Sequence, residues 1–212
     1  MRLFAERGYG ATSVADIEMA VGLQPRRGGL YKHFTNKQDL LETAVQSSLD
    51  NAAPVARQLD ELDELDLGRT SGDTPGARSL VLALGRRFLD EMDRLEELTR
   101  VLEHDASRMS ELRAALRADM VDLSYSAAAR VIAGFAPDVP DVDALAIVVL
   151  GSLVALRRTA WTFGAPPLGI DDDRFLETWT DATLAAIGNA VNWPRFRGDS
   201  FRAHTPFLGG AT

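Results

Sequence analysis

Thr12-Ser13-Val14-Ala15-Asp16-Ile17, then Val21-Gly22-Leu23, then Gly29-Leu30-Tyr31-Lys32-His33-Phe34 and Asn36-Lys37 form the stretch that decides the fold. A hydroxyl at Thr12 or Ser13 can cap a helix, because it accepts a backbone N–H left without a partner at the helix start. Val14, Ile17 and Val21 fall on one face at helical spacing. Gly22 then ends that helix by tolerating a left-handed backbone. A second short helix is expected to carry Arg26, Arg27, Tyr31, Lys32 and His33. Two short helices joined by a glycine turn make the helix-turn-helix format, whose second helix lies in the DNA major groove.

From Leu3 to Val45 the chain resembles the DNA-binding domain of the tetracycline-repressor (TetR) family. The matching residues are Leu3-Phe4, Gly8-Tyr9, Thr12-Ser13, Asp16-Ile17, the Gly-x-Leu-Tyr-x-His-Phe run from Gly28 to Phe34, Lys37 and Leu40. The ordered set is specific where a lone helix-turn-helix pattern is weak. There are two departures. The segment Gln24-Pro25-Arg26-Arg27-Gly28-Gly29 is longer than the commonest family spacing, which leaves the direction of Arg26 and Arg27 open. The first helix reads only from Arg2 to Arg7, with Gly8 as its cap and Tyr9 turning back to pack, so a start upstream of Met1 is expected.

The resemblance implies roles for individual side chains. Gly28 or Gly29 would let the backbone approach DNA. Tyr31 and His33 correspond to DNA-facing positions, with Lys32 beside them, although Tyr31 could equally be a core aromatic. Lys37, at a helix start, would pair with phosphate, and Thr12 or Ser13 would do the same at the other helix. Arg26 and Arg27 are candidates for bidentate reading of guanine. Leu30 and Phe34 read as core.

Charge is distributed unevenly over the 212 residues, whose formal net charge is −8. Residues 1–37 carry six basic and three acidic side chains, a net +3, whereas the remainder carries 17 basic and 28 acidic, a net −11. A basic head on an acidic body directs the head to phosphates and keeps the body clear of them. Cys is absent, which excludes disulfides and thiolate chemistry. Met1-Arg2 leads straight into an amphipathic turn rather than a signal peptide, so a cytoplasmic protein is expected. Arg outnumbers Lys 21 to 2, as in a GC-rich bacterial genome.

Everything after the head reads as helix, so the expected fold is all-α. A helix-turn-helix domain over residues 1–48 is followed by a helical ligand-binding and dimerisation domain over 49–212. Asn36 can cap a helix bearing Leu40, Leu41, Ala44, Val45, Ser48, Leu49 and Ala52 on one stripe, with Asp39 in the capping-box position. Pro54 should end or kink it. Leu59, Leu62 and Leu65 sit among acidic residues as a narrow apolar edge, and residues 66–76 read as a loop. One long helix follows with Val81, Leu84, Phe88, Met92, Leu95 and Leu98 facing inward, and another runs over 111–135. Pro137 and Pro140 break the pattern before the apolar run from Ala144. Arg157-Arg158 interrupts that run too soon for it to span a membrane. A last helix is expected over 172–191.

Two apolar helices at the end of such a body resemble the family's dimer interface. Leu150, Gly151, Val154 and Ala155 on one helix, with Leu176, Trp179, Thr183 and Ile187 on the other, are its candidate residues, unless this face packs inside one subunit. The resemblance also implies a small-molecule effector, with Phe88, Met92, Met120, Tyr125, Trp161 and Phe163 as candidate pocket walls or plain core. Glu103-His104-Asp105 has no metal-site spacing, and no metal or cofactor is expected. No nucleophile elbow, P-loop or dinucleotide glycine pattern is present, so an enzyme is not expected. The sequence therefore points to a homodimeric, effector-responsive regulator of a two-fold symmetric DNA operator, most simply a repressor. The alternative is a helical ligand-binding or interaction protein whose shortened head no longer binds DNA specifically.

Overall fold

A computed structural model describes residues 1–25, 27–51, 75–104 and 117–189. Helix α1 (Arg2–Ala11) opens the chain, and Gly8 leaves the helical path inside it at φ 75° and ψ 165°. That excursion turns Tyr9 back so that its ring stacks on Phe4, 6.1 Å between centroids and 13° between planes. Helix α2 (Val14–Ala20) starts with a full capping box. The Ser13 hydroxyl accepts the Asp16 N–H at 3.1 Å, and the Ser13 N–H donates to the Asp16 carboxylate at 3.0 Å. Hydrogen bonds donated to the Asp16 carboxylate, first by the Ser13 hydroxyl at 2.6 Å and then by the Ser13 N–H, hold that carboxyl below its ordinary pKa. Removing this cap has a defined cost: Ser13→Ala is expected to destabilise the head by about 1 kcal/mol, measured by chemical denaturation.

Gly22 takes φ +76° after α2, as its place in the turn requires. The core face of α2 differs from the periodicity reading. Val21 is 61% exposed, because it sits past the last helical turn in a non-helical cap conformation. Val14 and Ile17 are half-buried, and Glu18 is buried beside them.

The expected second helix is also corrected. Among the described residues, a single 3-10 turn, Leu30–Lys32, forms between α2 and α3. Pro25 and the left-handed Gly28 (φ +68°) stand where helical dihedrals would have to continue. Leu30 and Phe34 are half-buried rather than fully so.

Helix α3 (Lys37–Asn51) begins with Asn36 Oδ1 accepting the Asp39 N–H at 2.9 Å. The Asp39 carboxylate reaches one residue further back than expected, accepting from the Thr35 N–H at 2.7 Å and the Thr35 hydroxyl at 3.0 Å. Leu41 and Val45 are fully buried and Leu40, Ala44, Ser48 and Leu49 half-buried, as the stripe predicts. Ala52, Pro54, the acidic edge around Leu59, Leu62 and Leu65, and most of the 66–76 loop lie outside the described residues. So do residues 105–116, and the tail from 190 onward.

The expected single long helix is two. Helix α4 (Pro75–Arg94) starts inside the stretch read as loop, with Pro75 in its first turn, where the missing N–H costs nothing. It stops at Leu95, whose N–H is shared between the Glu91 and Met92 carbonyls, and α5 (Glu96–His104) follows. The break turns α5 onto α1. Phe4 and Ala5 of α1, Leu41 and Val45 of α3, and Leu98 and Val101 of α5 make one continuous core. The first and last of these residues lie on opposite sides of residue 48, so head and body share that core.

A π-helical turn, Arg117–Asp122, leads into α6 (Leu123–Phe135). Asp141 caps α7 (Val142–Phe163) by accepting the Ala144 N–H at 2.9 Å, and Gly164 closes it at φ 75°. Helix α8 (Asp172–Asn189) completes the described body. The described residues contain no strand beside these α-helices. Helix α7 packs on α6 and α4, and α8 packs on α4. At Gly85 of α4 a Cβ would lie 2.6 Å from the Trp179 ring of α8 and 3.0 Å from Leu176, so glycine permits this approach.

Helix α7 continues through Arg157-Arg158 to Phe163. Its 22 residues, with a mean hydropathy of 1.5 over an 18-residue window, make it long and apolar enough to cross a membrane, contrary to the length argument from sequence. One such helix is also what a bundle core contains, and Leu153 and Leu156 of α7 are buried in this one. Arg157 is buried as well and holds the Asp172 carboxylate bidentately at 2.7 and 2.7 Å. Its Nε stands 3.0 Å from Asp93. One cation thus joins the end of α4, the end of α7 and the start of α8.

Candidate nucleic-acid interface and body cavity

The 3-10 turn and its flanks form one exposed surface of the head. Tyr31 is 57% exposed, which removes the core-aromatic alternative. Lys32 and His33 are exposed beside it, and Arg27 is exposed on the preceding bend. Gly28 has open space where a Cβ would stand, while a Cβ on Gly29 would touch Leu23 Cδ1 at 3.4 Å. Arg26 lies outside the described residues. An aromatic hydroxyl, an ammonium and an imidazole on consecutive residues can address phosphate oxygens and base edges together.

Two residues expected at phosphate are instead structural. Thr12 is fully buried, with its hydroxyl 3.0 Å from the Leu3 carbonyl and 2.8 Å from the Gly8 carbonyl, so its one proton is shared inside the head. Lys37 reaches back to donate to the Tyr9 carbonyl at 2.6 Å and the Thr12 carbonyl at 2.9 Å, and its ammonium sits 4.0 Å from the centre of the Tyr9 ring. The reason is the Gly8 excursion, which leaves carbonyls at the end of α1 without helical partners and places an aromatic face beside them. Ser13 is exposed, but its hydroxyl also donates to the Asp16 carboxylate at 2.6 Å.

Residues 1–44 match the family model described as bacterial regulatory proteins, tetR family. These residues are a TetR-family domain. Among curated proteins, the chain is 37% identical over 65 residues to a probable HTH-type transcriptional regulator, ArpR, of Pseudomonas putida. It is 35% identical over 65 residues to the HTH-type transcriptional regulator TtgR, also of Pseudomonas putida. Each match covers 31% of this chain and 30% of the relative's length. The resemblance therefore concerns the TetR-family head, and the body is read from its own residues.

Behind the TetR-family head, the body holds a cavity of about 640 Å³ of empty space, part of it open to solvent. It is walled by Val81, Leu84, Gly85 and Phe88 of α4, by Ser124, Ala128 and Phe135 among residues of α6, and by Val149, Leu150 and Leu153 of α7. Trp179, Thr183 and Ile187 of α8 complete it. Of the five expected pocket residues whose side chains are described, Phe88 alone lines it. Met92 and Tyr125 are half-buried elsewhere. The side chain of Met120 is outside the described set. Trp161 does not line it either, and its carbonyl accepts from Arg100 at 3.0 Å. Phe163 is 78% exposed. Periodicity marks which face of a helix is apolar, but whether that face meets solid core or empty space depends on the distances between helices.

Five of the residues expected at a dimer face point into the subunit instead. Leu150, Trp179, Thr183 and Ile187 line the cavity, and Leu176 is fully buried against α4 and α7. The Trp179 indole donates to the Val149 carbonyl at 3.0 Å and so faces α7. Gly151 and Val154 are half-buried and Ala155 exposed, on the same outer side of α7 as the exposed Ile147 and Val148. Glu103 pairs with Arg158 at 2.6 Å, His104 ends α5, and Asp105 is not among the described residues.

Proposed function

We propose that this chain is a sequence-specific, DNA-binding transcription regulator that works as a homodimer and is released from its operator by a small-molecule effector. The observation that carries this reading is the exposed Tyr31-Lys32-His33 turn on a TetR-family head whose fold is held from within by Thr12 and Lys37. The head's positive charge favours phosphate, and the acidic body is repelled by it. The outer side of α7, with Ile147, Val148 and Ala155, is the surface offered to a second copy. Two heads related by a two-fold axis would read two half-sites.

The effector reading has a physical route. Leu84, Gly85 and Phe88 of the cavity wall stand on α4, and α4 meets α5 at Leu95. Helix α5 in turn contributes Leu98 and Val101 to the core shared with α1 and α3. A ligand that binds best to one position of α4 would bias the head through that core, by no more than its difference in affinity between the two positions.

Selection of random duplex DNA by the purified chain tests the proposal. Enrichment of a two-fold symmetric site is expected. Within that site, Tyr31→Ala with His33→Ala should weaken binding at least about tenfold by loss of base and phosphate contacts. Lys32→Ala should lower affinity on all sequences alike and reduce the salt slope by about 1. The second reading, a ligand-binding protein with a head inactive on DNA, is favoured by the shortness of the 3-10 turn. A folded dimer that enriches no site would support it.

A further inference from the structure

We infer that the molecule taken up by the body cavity is uncharged, ring-bearing and largely apolar, held by packing and one hydroxyl-directed hydrogen bond rather than by an ion pair. The inference rests on the reading of the body as an effector-binding domain and specifies the chemistry of that site. Among the described residues, no ionisable side chain lines the cavity. Its polar side chains are Ser124, Thr183 and Trp179, and the indole N–H of Trp179 is already given to the Val149 carbonyl at 3.0 Å. The two hydroxyls therefore remain to orient a ligand.

Two arginines of α4, Arg78 and Arg86, are committed to ion pairs with α8 and do not line the cavity. Arg78 of α4 pairs with Glu177 and Asp181 of α8, and Arg86 of α4 pairs with Asp173 at 2.6 Å. These ion pairs lie along the exposed seam between α4 and α8. Drawing one inward would break it and leave a carboxylate without its cation. A charged ligand would meet walls of Val, Leu, Ile and Phe side chains with nothing to replace its water. Burying an unpaired ion in that way costs several kcal/mol. Phe88, Phe135 and Trp179 supply ring faces and edges, which favour a ligand that is itself aromatic.

Calorimetric titration of the full chain near neutral pH with 2-naphthol, 2-naphthoate and (2-naphthylmethyl)ammonium separates charge from shape. 2-Naphthol is expected to bind, with each ion weaker by at least about a hundredfold. Thr183→Val should weaken 2-naphthol about fivefold by removing a neutral hydrogen bond. Ala128→Phe fills the empty space and should abolish binding while leaving the melting temperature unchanged or higher. Ser124→Phe, at a half-buried position of the wall, serves the same purpose if Ala128→Phe does not fold.

Absence of 2-naphthol binding, equal binding of 2-naphthoate, or 2-naphthol binding untouched by the filling variants would each overturn the inference. A parallel mobility assay on operator DNA keeps the two readings apart. If 2-naphthol binds the cavity without releasing DNA, the regulatory reading fails and the ligand class stands. If the anion binds the cavity and releases DNA, the class fails and the regulatory reading stands.

Discussion

Leu41→Ala is expected to lower the stability of the chain by about 3 kcal/mol, within the range for a buried leucine whose site collapses only in part. Leu41 is fully buried, and so is Val45 one turn later. Both stand where α3 meets Phe4 and Ala5 of α1 and Leu98 and Val101 of α5. The cavity left by the truncation would open at the joint between head and body, so two properties should fall together. The midpoint of urea unfolding should drop with an unchanged slope, and operator affinity should drop with it, because α1 loses the surface that braces it. Leu41→Met conserves volume and should cost less than about 1.5 kcal/mol. A loss below about 1 kcal/mol for the alanine variant would show that the head is stable without α5, and the proposed route from cavity to head would then lose its physical link.

Arg157→Leu is the second large effect, with an expected loss of about 2 kcal/mol. Removing one partner of a fully buried pair costs more than this, but both carboxylates here are nearly half exposed and can rehydrate, which screens the loss. The two carboxylates are not equivalent. The hydrogen bonds from Arg157 hold the Asp172 carboxyl below the usual range, and its place in the first turn of α8 adds to that. At Asp93, burial outweighs the attraction of Arg157 and pushes the carboxyl up. Asp172→Asn should therefore cost more than Asp93→Asn.

The pH dependence follows with opposite signs. Asp172 binds its proton less tightly in the folded chain than in the unfolded one. Its contribution is complete above the unfolded carboxyl pKa and is lost as pH falls through the lower folded value. Asp93 binds its proton more tightly when folded, so stability rises as pH falls through its raised value towards the unfolded one. On acidification the chain should first hold or gain stability as Asp93 protonates, then lose it as Asp172 does. Denaturation across acidic pH checks this, and Asp93→Asn should remove the first phase and keep the second.

How far these features could be read in advance depended on their range. The Ser13–Asp16 box, the Gly8 and Gly22 turns, the Asn36 cap and the α3 stripe were legible because each is settled within about one helical turn of chain. The role of Lys37 was not. Its ammonium meets the Tyr9 and Thr12 carbonyls, 28 and 25 residues away in sequence, and no local pattern reports on a carbonyl freed by a glycine that far upstream. Trp179 and Thr183 looked like a face for a second subunit. They are a wall of the cavity because Gly85, on a helix almost a hundred residues earlier, lets α8 approach.

By itself the sequence determined that the fold is all-α, that its head is of the TetR family, where α2, α3, α7 and α8 start, and which stripe of α3 is apolar. These properties follow from backbone preferences and side-chain periodicity, which act over a few residues. Only the tertiary structure decided that Thr12 and Lys37 hold the head together while Tyr31, Lys32 and His33 face outward. It also decided that α4 and α5 part at Leu95 so that head and body share a core, and that an uncharged cavity lies among α4, α6, α7 and α8. Those outcomes depend on how closely helices approach one another, and that distance is set jointly by side chains far apart in the chain.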